Sequence, residues 1–221
     1  MLKKLVGTII AAAAAAAAFT PAAATAEPVS VGAGDEVFIR HTDGRADSGC
    51  TLGFVFKGSD SEPRALVAGH CGDLHDSVET TDGRLIGRIA AVEYRGSFDS
   101  RDTALVSFHP GVAVDSRIPG VGAVSGVISR EEIERATPVL CKLGVATGLN
   151  CGPITDDVQT PATMIAFLGS NDHGDSGSPV WTYGTNGEIL AIGTLAGGPI
   201  GNPDVTYVEP IAEYVKAWQL N

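Results

Sequence analysis

The feature that most restricts the fold is a recurring pattern of short β-prone runs broken by tight-turn residues. The runs include Glu36-Val-Phe-Ile-Arg40, Leu52-Gly-Phe-Val-Phe56, Arg64-Ala-Leu-Val-Ala68, Ala104-Leu-Val-Ser-Phe108 and Ile189-Leu-Ala-Ile-Gly193. Asp43-Gly44, Asp82-Gly83 and Asn186-Gly187 lie between them, and glycine there accepts the backbone of a tight hairpin. Strands at this spacing with no helices between them predict antiparallel barrels or a sandwich, not an α/β sheet.

Two stretches read as helix. Ser129 to Arg135 is one or two turns capped by Ser129. A terminal helix over about 210–220 opens at Pro210 and places Ile211, Tyr214, Val215 and Trp218 on one face, which predicts docking onto the body of the protein. Pro110, Gly111, Pro119, Gly120 and Gly122 mark a linker. It divides the chain into an N-terminal half of about 31–112 and a C-terminal half of about 121–208.

The start of the chain reads as an export address. Lys3 and Lys4 precede the apolar stretch Leu5–Ala18, and Ala24-Thr25-Ala26 is a small-residue cleavage site. Residues 1–26 are therefore expected to be a signal peptide and 27–221 a secreted domain. The apolar stretch is short for a membrane span and Pro21 follows it closely. The formal net charge is −11 and removing the leader makes it more negative. Such a surface repels phosphate backbones and anionic lipid, so neither nucleic acid nor a membrane is an expected partner.

Four cysteines, Cys50, Cys71, Cys141 and Cys151, lie in the exported part. Export favours disulfides, and the absence of any Cys-x-x-Cys argues against zinc or thioredoxin chemistry. Three pairings remain open. Nothing calls for a metal or a cofactor.

The strongest chemical signal is His173-Gly-Asp-Ser-Gly-Ser-Pro179. Glycines flanking Asp175-Ser176 let the backbone turn sharply and present N–H groups beside a hydroxyl, which is what acyl transfer requires. By itself the tetrapeptide also fits an ordinary surface turn. Val67-Ala-Gly-His-Cys71 sets His70 at the end of an apolar run, and Asp102-Thr-Ala-Leu-Val106 sets a carboxylate at the start of another. An α/β-hydrolase needs a histidine after its serine, and none of His41, His70, His75, His109 and His173 follows Ser176. The spacing of His70 and His75 matches no zinc helix, and Gly120-Val-Gly122 reads as a turn.

With these motifs the chain resembles the chymotrypsin-type serine peptidases, within them the secreted bacterial streptogrisin and α-lytic group. The anchors are Cys50-Thr-Leu-Gly-Phe54, Ala68-Gly-His-Cys71, Asp102-Thr-Ala-Leu-Val106, Cys141-Lys-Leu-Gly144 and Gly174-Asp-Ser-Gly177. The resemblance implies an all-β fold of two antiparallel β-barrels with a short C-terminal helix, and disulfides Cys50–Cys71 and Cys141–Cys151. It implies a monomeric endopeptidase acting on peptides or proteins. Its catalytic residues would be Ser176, His70 and Asp102, with an oxyanion hole from the N–H groups of Gly174 and Ser176. Buried Asp175 would pair with Lys142. Ser170, His173, Leu195, Ala196, Gly197 and Gly198 would line the substrate site, and no acid at position 170 predicts a modest apolar residue before the scissile bond.

Several positions depart from the resembled pattern. Ser178 stands for glycine, Val67 for threonine, and Ala196 for the serine of Ser-Gly-Gly. A third cysteine pair is missing, and too few residues lie between Ala26 and Val31 for a long pro-region. These departures keep a rival in view: a secreted binding module on the same fold that no longer cleaves.

Overall fold

The computed structural model describes residues 28–96 and 101–221; the expected leader, 1–26, lies outside them. In the first half, β1 (Ser30–Gly32), β2 (Glu36–Arg40), β3 (Ser48–Thr51), β4 (Val55–Lys57), β5 (Pro63–Val67), β6 (Ser77–Thr80), β7 (Leu85–Tyr94) and β8 (Asp102–Phe108) follow in order. β9 (Ala113–Asp115), β10 (Arg117–Ile118) and β11 (Gly122–Val127) lead to helix α1 (Arg130–Ala136). The second half continues with β12 (Val139–Gly144), β13 (Gly148–Pro153), β14 (Ile165–Leu168), β15 (Pro179–Tyr183), β16 (Ile189–Gly197), β17 (Val205–Pro210) and helix α2 (Ala212–Ala217).

Two curled sheets result. The first has the order β3-β2-β6-β7-β8-β5-β4. The second runs β10-β11-β16-β15-β12-β13, with β17 pairing both β16 and β14. Pairing is antiparallel within both barrels except for β11 beside β16, and β1 also runs parallel to β9. The expected linker is thus not bare coil: it carries β9 and β10.

Residue alternation explains how the halves meet. Ala65 and Val67 of β5, and Ala104 and Val106 of β8, point into the first barrel core. Leu66 and Leu105 point the other way, into a cluster with Phe54, Trp181, Ile211 and Tyr214. Because successive side chains alternate, a strand buried on both sides reads as a continuous apolar run. The second barrel has its own core around Phe167, Val180, Ile192 and Val208.

Two further sequence expectations need correction. Leu52–Phe56 is not one strand: β3 ends at Thr51 and β4 starts at Val55. Gly53 sits where a Cβ would be 2.8 Å from the carbonyls of both Gly177 and Leu66, so the chain bends there against two backbones. The terminal helix is shorter than 210–220, because Pro210 closes β17 and the helix starts at Ala212. Its apolar face does dock as expected, with Ile211 and Tyr214 buried in the inter-barrel cluster. α1 begins after a capping box in which Ser129 and Glu132 each bond the other's backbone N–H, and Thr137 closes it in the left-handed conformation. Among the described residues no helix is long and apolar enough to cross a membrane.

Candidate active site

β5 and β8 are antiparallel neighbours, with Val67 opposite Ala104. The residue three places after Val67 and the residue two places before Ala104 therefore meet at one end of the pair. They are His70, on a single 3-10 turn (Gly69–Cys71), and Asp102. Gly69 makes the approach possible, since a Cβ there would be 2.8 Å from Thr103 N. The Asp102 carboxylate accepts from the His70 backbone N–H at Oδ1 (2.8 Å) and lies 2.7 Å from His70 Nδ1 at Oδ2. Its side chain is buried while the imidazole is 32% exposed. The Cys50–Cys71 disulfide ties the histidine turn to β3.

Ser176 arrives from the other half. Its Oγ lies 2.8 Å from His70 Nε2, on the side of the imidazole opposite Asp102. Asp102 bonded at Nδ1 leaves Nε2 as the acceptor for the serine proton. The serine sits in a tight turn: Asp175 N–H donates to Asp172 O and Ser178 N–H to Asp175 O, both at 3.0 Å. Gly174 and Gly177 have φ of 100° and 91°, values that only glycine adopts without strain. Among the described residues no hydrogen bond engages the N–H of Gly174 or Ser176.

The first barrel grips this turn through Thr51. Its N–H donates to Ser176 O at 2.8 Å, and its Oγ1 donates to Gly174 O at 2.8 Å while accepting from Val145 N–H at 3.2 Å. Below the serine, Lys142 Nζ lies 2.9 Å from Asp175 Oδ2, with neither side chain exposed. Thr147 Oγ1 donates to the same oxygen at 2.6 Å, and the N–H groups of Ala146 and Thr147 reach Oδ1 at 2.9 and 3.2 Å. Burial would push the Asp175 carboxyl up, but Thr147, Lys142 and Ala146 together hold it below the usual carboxylate range. Ser178, at the glycine position of the resembled pattern, donates its Oγ back to Asp175 O at 2.5 Å.

His70, Asp102, Tyr94, Ala196, Gly197 and Gly198 border an open cleft of about 370 Å³. Leu195 does not join them, which corrects the expected site: its side chain is 1% exposed and belongs to the second barrel core. What it brings to the site is backbone, accepting from Gly177 N–H and donating to Ser178 O. Ser170 is exposed, and its carbonyl accepts from Asn150 Nδ2 at 3.3 Å. His173 is also exposed, with its N–H on Asp172 Oδ1 at 2.7 Å. The disulfides Cys50–Cys71 and Cys141–Cys151 are both formed.

Three residues near the site carried no sequence signal of their own: Thr51, Thr147 and Glu209. Glu209, on β17, is 2% exposed and receives the Tyr214 hydroxyl at 2.6 Å. Burial pushes its carboxyl up to about 7, against the Tyr214 hydroxyl and the charge of Arg101. Away from the cleft, His41, Asp73 and Asp76 cluster, but Arg45 bonds Asp73 and both His41 nitrogens have partners, Asp76 and Ser48.

No family model matches the chain. The uncharacterized protein MT1863 of Mycobacterium tuberculosis (strain CDC 1551 / Oshkosh) is 30% identical over 186 residues, covering 79% of this chain and 77% of that one. The uncharacterized protein Rv1815 of strain ATCC 25618 / H37Rv is 29% identical over 194 residues, with the same coverage. Among solved structures, Thermobifida fusca Protease A matches with a TM-score of 0.66 at 22% identity, over 87% of this chain and 98% of that one. Nocardiopsis protease gives 0.64 at 22% identity, over 87% and 98%. Cellulomonas bogoriensis chymotrypsin gives 0.64 at 23%, over 87% and 97%. What is shared at these identities is the fold, the two-barrel chymotrypsin-like architecture of bacterial serine proteases.

Proposed function

The chain belongs to the same family as the mycobacterial protein MT1863 and is built on the chymotrypsin-like fold, and from that premise we propose that it is a secreted serine endopeptidase. Ser176 Oγ attacks the scissile carbonyl while its proton passes to His70 Nε2. The tetrahedral oxyanion is received by the N–H groups of Gly174 and Ser176. The C–N bond then breaks, His70 returns the proton to the leaving amine, and an acyl-enzyme remains on Ser176. Water, deprotonated by His70, releases the acid and restores the hydroxyl. Asp102 holds the imidazole tautomer and stabilises its charged form throughout. The enzyme acts as a monomer on peptides or proteins and requires no cofactor.

The observation that carries this reading is the Ser176–His70–Asp102 chain of hydrogen bonds at 2.8 and 2.7 Å, beside two unengaged N–H groups. Two disulfides support an oxidising compartment, and with the sequence of residues 1–26 they support export. One observation favours a slower enzyme or a non-cleaving binder. Among the described residues, Asp102 takes side-chain and backbone hydrogen bonds from His70 alone, with Ala196 where a serine hydroxyl is expected. A fluorophosphonate probe decides between them. The proteolytic reading expects labelling of Ser176 that Ser176→Ala abolishes, together with peptide turnover; absence of labelling in folded protein refutes it.

A further inference from the structure

Ser176 stands between two walls. One is the segment Ser170–His173 that leads into its turn. The other is the end of β16, fixed alongside by Gly177 N–H to Leu195 O (2.7 Å) and Leu195 N–H to Ser178 O (3.0 Å). The resemblance to the chymotrypsin-type peptidases implies that a peptide acylating Ser176 would lodge the side chain preceding its scissile bond between these walls.

A side chain is already there. Asn171 N–H is bonded to Pro203 O at 2.9 Å, and its Nδ2 donates to Val205 O at 2.7 Å and Pro203 O at 3.3 Å. This carboxamide faces Gly198 on the opposite wall. A Cβ built on Gly198 would lie 2.7 Å from Asn171 Nδ2, 3.1 Å from Oδ1 and 2.3 Å from Val205 O. At Gly198 the gap is therefore narrowed by the amide, which is fixed by main-chain acceptors from β17 and the residues just before it. Swinging it aside would take this donor from Val205 O, while Pro203 O keeps the Asn171 N–H, and a bulky apolar side chain cannot make that loss good.

We propose that Asn171 closes the specificity pocket and restricts the residue preceding the scissile bond to glycine, alanine or serine, a reading that rests on the proteolytic function above. Long, charged and aromatic side chains are excluded by volume rather than by charge. The amide, not the exposed Ser170, sets the depth of the pocket.

Matched peptide substrates differing only at that residue test this. In the wild type, kcat/KM after Ala or Ser is expected to exceed that after Phe, Leu or Lys by about tenfold or more. Asn171→Ala and Asn171→Gly are expected to shrink that ratio by about tenfold, through faster cleavage after Leu and Phe. Wild-type cleavage after Phe, Leu or Lys as fast as after Ala overturns the proposal, whether or not the variants fold. An unchanged profile in variants that still take the fluorophosphonate probe overturns it equally, and leaves the proteolytic reading standing. Failure of the wild type to label at Ser176 removes that reading and this inference together.

Discussion

Lys142 Nζ and Asp175 Oδ2 are 2.9 Å apart in a place where neither side chain meets solvent. The pair lies directly beneath the turn that carries Ser176, so the ammonium braces the peptide units expected to bind the oxyanion. Replacing Lys142 by Met leaves a buried carboxylate with hydroxyl and amide donors but no counter-charge. The expected cost is about 3–5 kcal/mol of unfolding free energy, read by urea denaturation, with loss of Ser176 labelling. Lys142→Met combined with Asp175→Asn is expected to recover part of the stability, because neither charge is then stranded.

Thr51 makes the corresponding brace from the first barrel. Thr51→Val keeps the shape and removes the hydroxyl that Gly174 O accepts from. About 1–3 kcal/mol of support for the turn is expected to disappear. Pre-steady-state acylation should slow by tenfold or more with little change in KM. A fall in KM-dependent binding with acylation untouched would contradict that placement.

Glu209 gives stability a pH dependence of its own. Its carboxyl is pushed up to about 7 in the folded protein from an ordinary value of 4.5. The folded state therefore keeps a proton that the unfolded chain releases. The associated stability is complete below about pH 4.5 and is lost as pH rises through 7, a change on the order of 3 kcal/mol. Glu209→Gln should flatten the melting temperature across this window and raise it at pH 8 relative to wild type. Thermal melts at pH 5 and pH 8 measure both.

The Cys50–Cys71 bridge spans 21 residues and ends beside His70. Cys50→Ala with Cys71→Ala is expected to cost about 3 kcal/mol through the freed loop. It should also lower the rate of probe labelling, because the Gly69–Cys71 turn loses its tie to β3. Equal labelling rates with and without reductant would separate the bridge from the chemistry.

Much of this was legible in the residues. Glu36–Arg40 is a strand with the bounds its alternation suggests, and the apolar run from Ala104 is the double-buried β8. A buried Asp175 calls for a cation, but it is the resemblance, with a basic residue just after the first cysteine of the second pair, that points to Lys142, and the two are in contact. Taking Leu195 to Gly198 together as wall residues ignores the two-residue period of a strand, which sends Leu195 inward and Ala196 toward the cleft. The composition of Leu52–Phe56 suggests one strand because it cannot reveal two carbonyls closing on Gly53. Thr51, Thr147 and Asn171 act through partners 28 to 123 positions away, and single hydroxyls and amides carry no pattern that marks them.

The apolar cluster of Phe54, Leu66, Leu105 and Trp181 joins two bodies that each have a separate core. Imidazole and hydroxyl ride on opposite sides of that seam, so its geometry sets the distance between them. A methyl group removed there need not melt either body to be felt. Slight slippage at the joint should register in turnover first, and in calorimetry only later.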